Sequence, residues 1–160
     1  MTDTLPTLAD EIKQVRPWSG PAEEAVVSVM RTAALVRRML NQKVEPYGIS
    51  QPQYNVLRIL RGAGPEGLPT LAVRDRLVEE APGITRLIDK LEKSKLVKRD
   101  RTGRDRRTVR VQITPTGLQL LEQADKVVRE VQQALADGLP DVADQRALIA
   151  LLEKVRSGLR

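Results

Sequence analysis

A mainly α-helical fold with one small β-wing is predicted by three observations. Apolar residues recur at three- and four-residue steps through most of the 160-residue chain. That period yields to alternation only between Leu96 and Ile113. Capping residues, prolines and glycines separate the helical stretches cleanly.

The elements follow in order. Met1 to Gly20 reads as an arm or a short helix, ended by Pro17, Gly20 and Pro21, with Trp18 as a packing anchor. From Pro21 to Val44, the residues Val26, Val29, Met30, Ala33, Val36, Leu40 and Val44 form an amphipathic stripe. Pro46 and Gly48 stop that helix. Ser50-Gln51-Pro52-Gln53 has the spacing of a capping box and opens a helix carrying Tyr54, Leu57 and Leu60, ending near Gly62. Gly62 to Pro69 is expected to be a loop. A short helix is expected over roughly Thr70 to Val78, and Glu79-Glu80-Ala81 makes a tight connection. Pro82 suits the first turn of the next helix, roughly Pro82 to Ser94, because its missing N–H costs nothing there. That helix buries Ile84, Leu87, Ile88 and Leu91 and turns Thr85, Arg86, Asp89 and Lys90 the other way.

Two strands come next, Leu96–Arg99 and Thr108–Ile113, joined by a turn with Thr102-Gly103. Thr114 as N-cap and Pro115 at the first position start a long helix that Asp137-Gly138 ends. A last helix runs from about Asp141 to Ser157, with Leu148, Leu151, Leu152, Val155 and Leu159 on one face.

Composition excludes several functions. Cysteine and histidine are both absent. Disulfides, thiol redox sensing and histidine- or cysteine-based metal sites are therefore ruled out, and the commonest general base is missing. No phosphate loop or nucleophile–base pair is visible, so neither an enzyme nor a cofactor is expected. No apolar run approaches the ~20 residues that cross a bilayer. Met1 to Asp10 lacks the order of a signal peptide, so a cytoplasmic protein without membrane contact is expected.

Charge is placed unevenly. Lys95 to Arg110 holds eight basic residues against Asp100 and Asp105, which accounts for the whole net charge of +6. So local an excess suits a polyanion; the alternative is a solvated charged turn. Arg101, Arg104, Arg106 and Arg107 crowd a hairpin with almost no apolar content. An arginine there can enter a narrow minor groove, where the negative potential is enhanced. Asp105 reads as an orienting group that pairs with Arg107 and aims its guanidinium, or as simple charge dilution.

The middle third thus reads helix, short helix, tight turn, helix, basic ribbon: a helix-turn-helix followed by a basic hairpin. Arg86, in the first turns of the second helix, can donate two parallel hydrogen bonds to guanine in the major groove. Its alternative is an i,i+3 ion pair with Asp89. Thr85 can meet a base edge, and Lys90 suits phosphate.

The run Thr85-Arg86-Leu87-Ile88-Asp89-Lys90-Leu91-Glu92-Lys93, then Leu96-Val97-Lys98-Arg99, Asp105-Arg106-Arg107 and Val111-Gln112-Ile113-Thr114-Pro115-Thr116-Gly117, resembles the MarR family of bacterial regulators. The resemblance covers about Ala22 to Leu159. It implies a homodimer built from the terminal helices and a sequence-specific regulator, repressor or activator, of double-stranded DNA. It also implies a threonine–arginine pair in the recognition helix and a wing arginine in the minor groove, oriented by the wing aspartate. The chain departs from the family pattern at Glu80 and Gly83, where serine or threonine is usual, and at Lys95, where glycine is usual. A left-handed backbone at Lys95 would carry a strain cost.

The expected organisation is an arm over residues 1–20, a helical dimerisation region over 21–46 and 115–160, and a winged helix-turn-helix over 47–114. Physics points to the same dimer, because the stripes of the first helix and the last two exceed what one small winged domain covers. The alternative is an intramolecular three-helix lobe. A dimer would set two recognition helices ~34 Å apart on a pseudo-palindromic site. Family members bind small aromatic or phenolic effectors in a crevice. Met30, Arg31, Tyr47, Tyr54 and Arg58 are the candidates to line one, with ordinary helix packing the alternative for the tyrosines. Two competing functions are a general nucleic-acid-binding module and a dimeric interaction protein without DNA binding. Aromatic residues are 2% of the chain, too few for the stacking platforms of single-strand binding.

Overall fold

The computed structural model describes residues 6–79, 83–100 and 109–160. The chain divides into two compact units, residues 1–39 and 40–160. In the first, helix α1 (Leu8–Ile12) is opened by a capping box between Thr7 and Asp10 and closed by Lys13 in the left-handed region. Arg31 forms an ion pair with Glu11 at 3.2 Å. Trp18 is half-buried. Helix α2 (Pro21–Val44) belongs to this unit as far as Met39.

The second unit holds the core. A 3-10 turn (Glu45–Tyr47) ends at Gly48, whose φ of 72° suits glycine. Helix α3 (Gln51–Ala63) starts at the expected capping box of Ser50 and Gln53. It runs one residue past Gly62, because the chain turns away only at Gly64. Strand β1 (Leu68–Pro69) lies where a loop was expected. Proline is tolerated there because a two-residue edge strand has few ladder donors to lose. Helix α4 (Thr70–Arg74) is shorter than the expected Thr70–Val78. Val73 and Leu77 pack into or against the core, but Val78 is 81% exposed, so nothing rewards continuing the helix to it.

Helix α5 (Ile84–Lys93) follows, then β2 (Val97–Asp100) and β3 (Arg110–Ile113). Pro82 itself lies outside the described residues, but the helix begins two residues later than expected, after Gly83 in the left-handed region. The sheet is antiparallel with order β1-β3-β2, and its outer pairs are Leu68 with Val111 and Asp100 with Arg110. Helix α6 (Pro115–Gly138) is capped by Thr114, whose Oγ1 accepts from the Gly117 N–H. Helix α7 (Val142–Gly158) is capped by Asp141.

Packing explains the arrangement. Leu57 and Leu60 of α3, Ile88 and Leu91 of α5, Val111 of β3 and Leu121 of α6 are fully buried in one cluster. Each such side chain contributes about 1.5–3 kcal/mol through removal from water. Two close approaches seal the sheet to its neighbours. A Cβ on Gly67 would stand 2.1 Å from the Val111 carbonyl oxygen, and one on Gly117 2.2 Å from that of Leu96. Only glycine lets β1 and the start of α6 come so near.

Helix α7 buries none of its residues. Leu148, Ile149, Leu151 and Val155 are among its exposed apolar side chains. Among the described residues, no helix is long and apolar enough to cross a membrane.

Candidate nucleic-acid interface

Helix α5 is built by its own periodicity. Ile84, Ile88 and Leu91 anchor one side of α5 in the core, which leaves Thr85, Arg86 and Lys90 exposed together on the other. Arg86 is not drawn into the apolar interior. The N-cap of α5 is Gly83, at φ 106°, and among the described residues no side chain caps the helix. The serine or threonine usual in the family is absent here, and the backbone conformation at this position favours glycine.

At the other end, α5 closes with a Schellman motif. The Leu96 N–H donates to the Leu91 carbonyl at 2.9 Å and the Lys95 N–H to that of Glu92 at 2.9 Å. Lys95 is the left-handed residue, with φ 60°. The strain foreseen where the family has glycine is therefore present. The motif turns the chain directly from the helix into β2.

The weighed pairing of Arg86 with Asp89 does not form among the described residues. Asp89 Oδ1 instead accepts from Arg99 Nη2 at 2.6 Å. The Arg99 Nη1 donates to Glu92 Oε2, and the Arg99 backbone N–H donates to Glu92 Oε1 at 3.1 Å. Burial opposes the charge on Arg99, but the two carboxylates outweigh it and push its pKa up. Arg99, Asp89 and Glu92 thus join β2 to α5. Glu92 and Arg99 carried no role in the sequence reading. Their signal was faint: two acids spaced i,i+3 on a helix, followed by one arginine in a strand.

The second wing strand is fastened too. Arg110 donates from Nε to the Glu66 carbonyl and from Nη2 to the Gly67 carbonyl, both at 2.8 Å. The strands are paired as far as Asp100 and Arg110. Arg101, Arg104, Asp105, Arg106 and Arg107 lie in the connection between them, outside the described residues.

The candidate crevice residues fall in both units. Met30 is exposed on α2 and Arg31 is held by Glu11. In the second unit, Tyr47 is half-buried, and the Arg58 guanidinium lies 5.9 Å from the Tyr54 ring centroid. Tyr54 is only 5% exposed, and its hydroxyl donates to Asp125 Oδ1 at 2.6 Å. Asp125 Oδ2 accepts from Arg61 Nη1 at 2.5 Å. Burial, helped by the Asp125 charge, pushes the Tyr54 phenol up to about 12. Burial opposes the Asp125 charge, but Tyr54, Arg61 and Arg58 together hold its carboxyl below the ordinary value. An open cleft of about 530 Å³ is lined by Asn41, Glu45, Gly48, Ile49 and Ser50, flanking Tyr47 in sequence.

Known proteins agree with this architecture. The model of the family "Transcriptional regulator SarA/Rot" matches residues 38–124. The HTH-type transcriptional regulator YwoH of Bacillus subtilis is 32% identical over 110 residues, 68% of this chain and 78% of that protein. A MarR transcription factor from Planctomyces limnophilus is 35% identical, with a TM-score of 0.65 over 86% of this chain and 98% of its own. The S. aureus MepR–DNA complex shares the fold with a TM-score of 0.74 at 24% identity, over 81% of this chain and 94% of its own. These relatives are transcriptional regulators and not enzymes, and with the winged helix that lies within residues 40–160 they show that the chain belongs to the MarR family of DNA-binding transcriptional regulators.

Proposed function

We propose that this protein is a homodimeric, sequence-specific regulator that reads a pseudo-palindromic duplex through Thr85 and Arg86 of α5 and through the arginines of the wing. The observation that carries the reading is the exposed trio Thr85, Arg86 and Lys90 on a helix hydrogen-bonded to the root of a strongly basic ribbon. Arg86 is suited to the O6 and N7 of guanine, and Lys90 to phosphate. Arg101, Arg104, Arg106 and Arg107 supply charge for the adjacent minor groove, with Asp105 orienting Arg107. The related fold of MepR bound to DNA supports a duplex as the partner.

Dimerisation is supported by the apolar residues that α7 leaves in water. Together with α2 and α6, that helix forms the proposed dimerisation region, residues 21–46 and 115–160, and residues 47–114 form the reading head. A small aromatic or phenolic effector would enter the cleft beside Tyr47.

One titration tests the reading. The duplex upstream of the protein's own gene is compared with a scrambled duplex and single-stranded RNA at several salt concentrations. A preference of ~10³ or more for the native duplex is expected. Equal binding of all three would instead mark a general nucleic-acid module. Arg86→Ala should relax base preference by ~1–3 kcal/mol. Sedimentation should give a dimer that Leu151→Glu converts to monomer.

A further inference from the structure

We propose that Arg99 is a positioning residue that sets the wing against the recognition helix, so that the two grip DNA as one rigid unit. This rests on the DNA-reading function above. Arg99 sits on β2, and both its guanidinium and its backbone N–H are spent on α5. Its side chain is only 18% exposed, against 55% for Asp89 and 39% for Glu92. Two of its five N–H donors are taken by carboxylates, and a guanidinium this enclosed lies where those two negative charges repel a phosphate. Its action on DNA is therefore indirect.

The chemistry requires arginine. The planar fork holds two carboxylates one helical turn apart at the same time, which a point charge on lysine cannot do. The brace also neutralises Asp89 and Glu92, whose charges lie on the helix that must approach a polyanion. Without the Arg99 side chain, Asp89 and Glu92 would lose their shared cation, and of these three bonds between β2 and α5 only the residue-99 backbone N–H to Glu92 would remain.

The test uses the full-length protein, with the native and scrambled duplexes as probes. Arg99→Ala and Glu92→Arg should each lower the native-to-scrambled affinity ratio by about tenfold or more. The double variant R99E/E92R restores an ion pair of reversed polarity at unchanged net charge. It should recover the ratio to within about threefold of the parent. Arg99→Lys should remain impaired despite keeping its charge. If Arg99 contacted phosphate directly, Arg99→Lys would bind nearly as the parent does and the reversed pair would not rescue; that pattern overturns the proposal.

Amide exchange supplies a readout free of DNA. In Arg99→Ala, the Val97–Asp100 amides should exchange faster while those of α3 do not change. Unchanged exchange in β2 overturns the brace even where the duplexes are discriminated. A parent that does not discriminate them refutes the function, and amide exchange alone then decides the brace.

Discussion

The Tyr54–Asp125–Arg61 cluster makes a quantitative prediction about how α3 is tied to α6. Tyr54 is almost fully buried, and its hydroxyl donates to an ionised carboxylate at 2.6 Å. Hydrogen bonds to charged groups contribute about 1.5–3 kcal/mol. Tyr54→Phe keeps the ring and removes only the donor, so a loss near 2 kcal/mol is expected. For a chain of this length that lowers the melting temperature by roughly 4–8 °C. Asp125→Ala should cost about 3 kcal/mol, because it also strands the Tyr54 hydroxyl and frees Arg61. The Arg61 pair adds less, being partly exposed on both sides. The double variant should therefore reveal a coupling of about 1–2 kcal/mol.

The pH dependence has a definite sign. The Tyr54 phenol is pushed up from 10.0 to about 12. Its stabilisation is complete below the ordinary value and is lost as pH rises from 10.0 to about 12. The Asp125 carboxyl is lowered, so its stabilisation is present above the ordinary 3.8 and is lost as pH falls through the folded value. Tyr54→Phe should abolish this cluster's alkaline loss and soften the acid one. Urea unfolding followed by circular dichroism, at fixed protein concentration and across pH, measures all of these. Additive single variants, or an unchanged alkaline limb in Tyr54→Phe, would refute the reasoning.

Three further outcomes follow from single backbone features. Lys95→Gly should stabilise by about 0.5–1 kcal/mol, since it relieves the positive φ and only partly repays that in unfolded-state entropy; thermal melting reads it. Gly117→Ala should cost roughly 3 kcal/mol, because its Cβ would meet the Leu96 oxygen, and urea titration will register the loss. Thr114→Ala should cost about 1–2 kcal/mol in the same assay, through loss of the α6 cap and of the hydroxyl's bond to the Lys95 carbonyl.

Legibility in the sequence tracked the range of the interactions. Ser50 with Gln53, and Thr114 ahead of Pro115, announce helix starts because the capping partners lie within three residues. The exposure of Thr85, Arg86 and Lys90 was legible because Ile84, Ile88 and Leu91 fix the phase of the helix. Strand β1 was not, since two residues containing a proline carry no alternation to detect. Tyr54 and Asp125 are 71 positions apart, and Arg99 stands 10 from Asp89 across a change of secondary structure. Such pairs exist only once tertiary packing brings helix to helix and strand to helix. The unusual residue at Lys95 was visible, and its left-handed turn followed from the need to leave α5 sharply.

Both legs of the ribbon are moored before its apex begins, one by Arg99 and the other by Arg110. The two ends of the connection, Asp100 and Arg110, are thus held next to residues fastened to α5 and to the segment before β1. Changes of charge or length between Asp100 and Arg110 are therefore expected to leave the stability of the core unchanged. Grafting a foreign tip between Asp100 and Arg110 should accordingly yield a folded chimera.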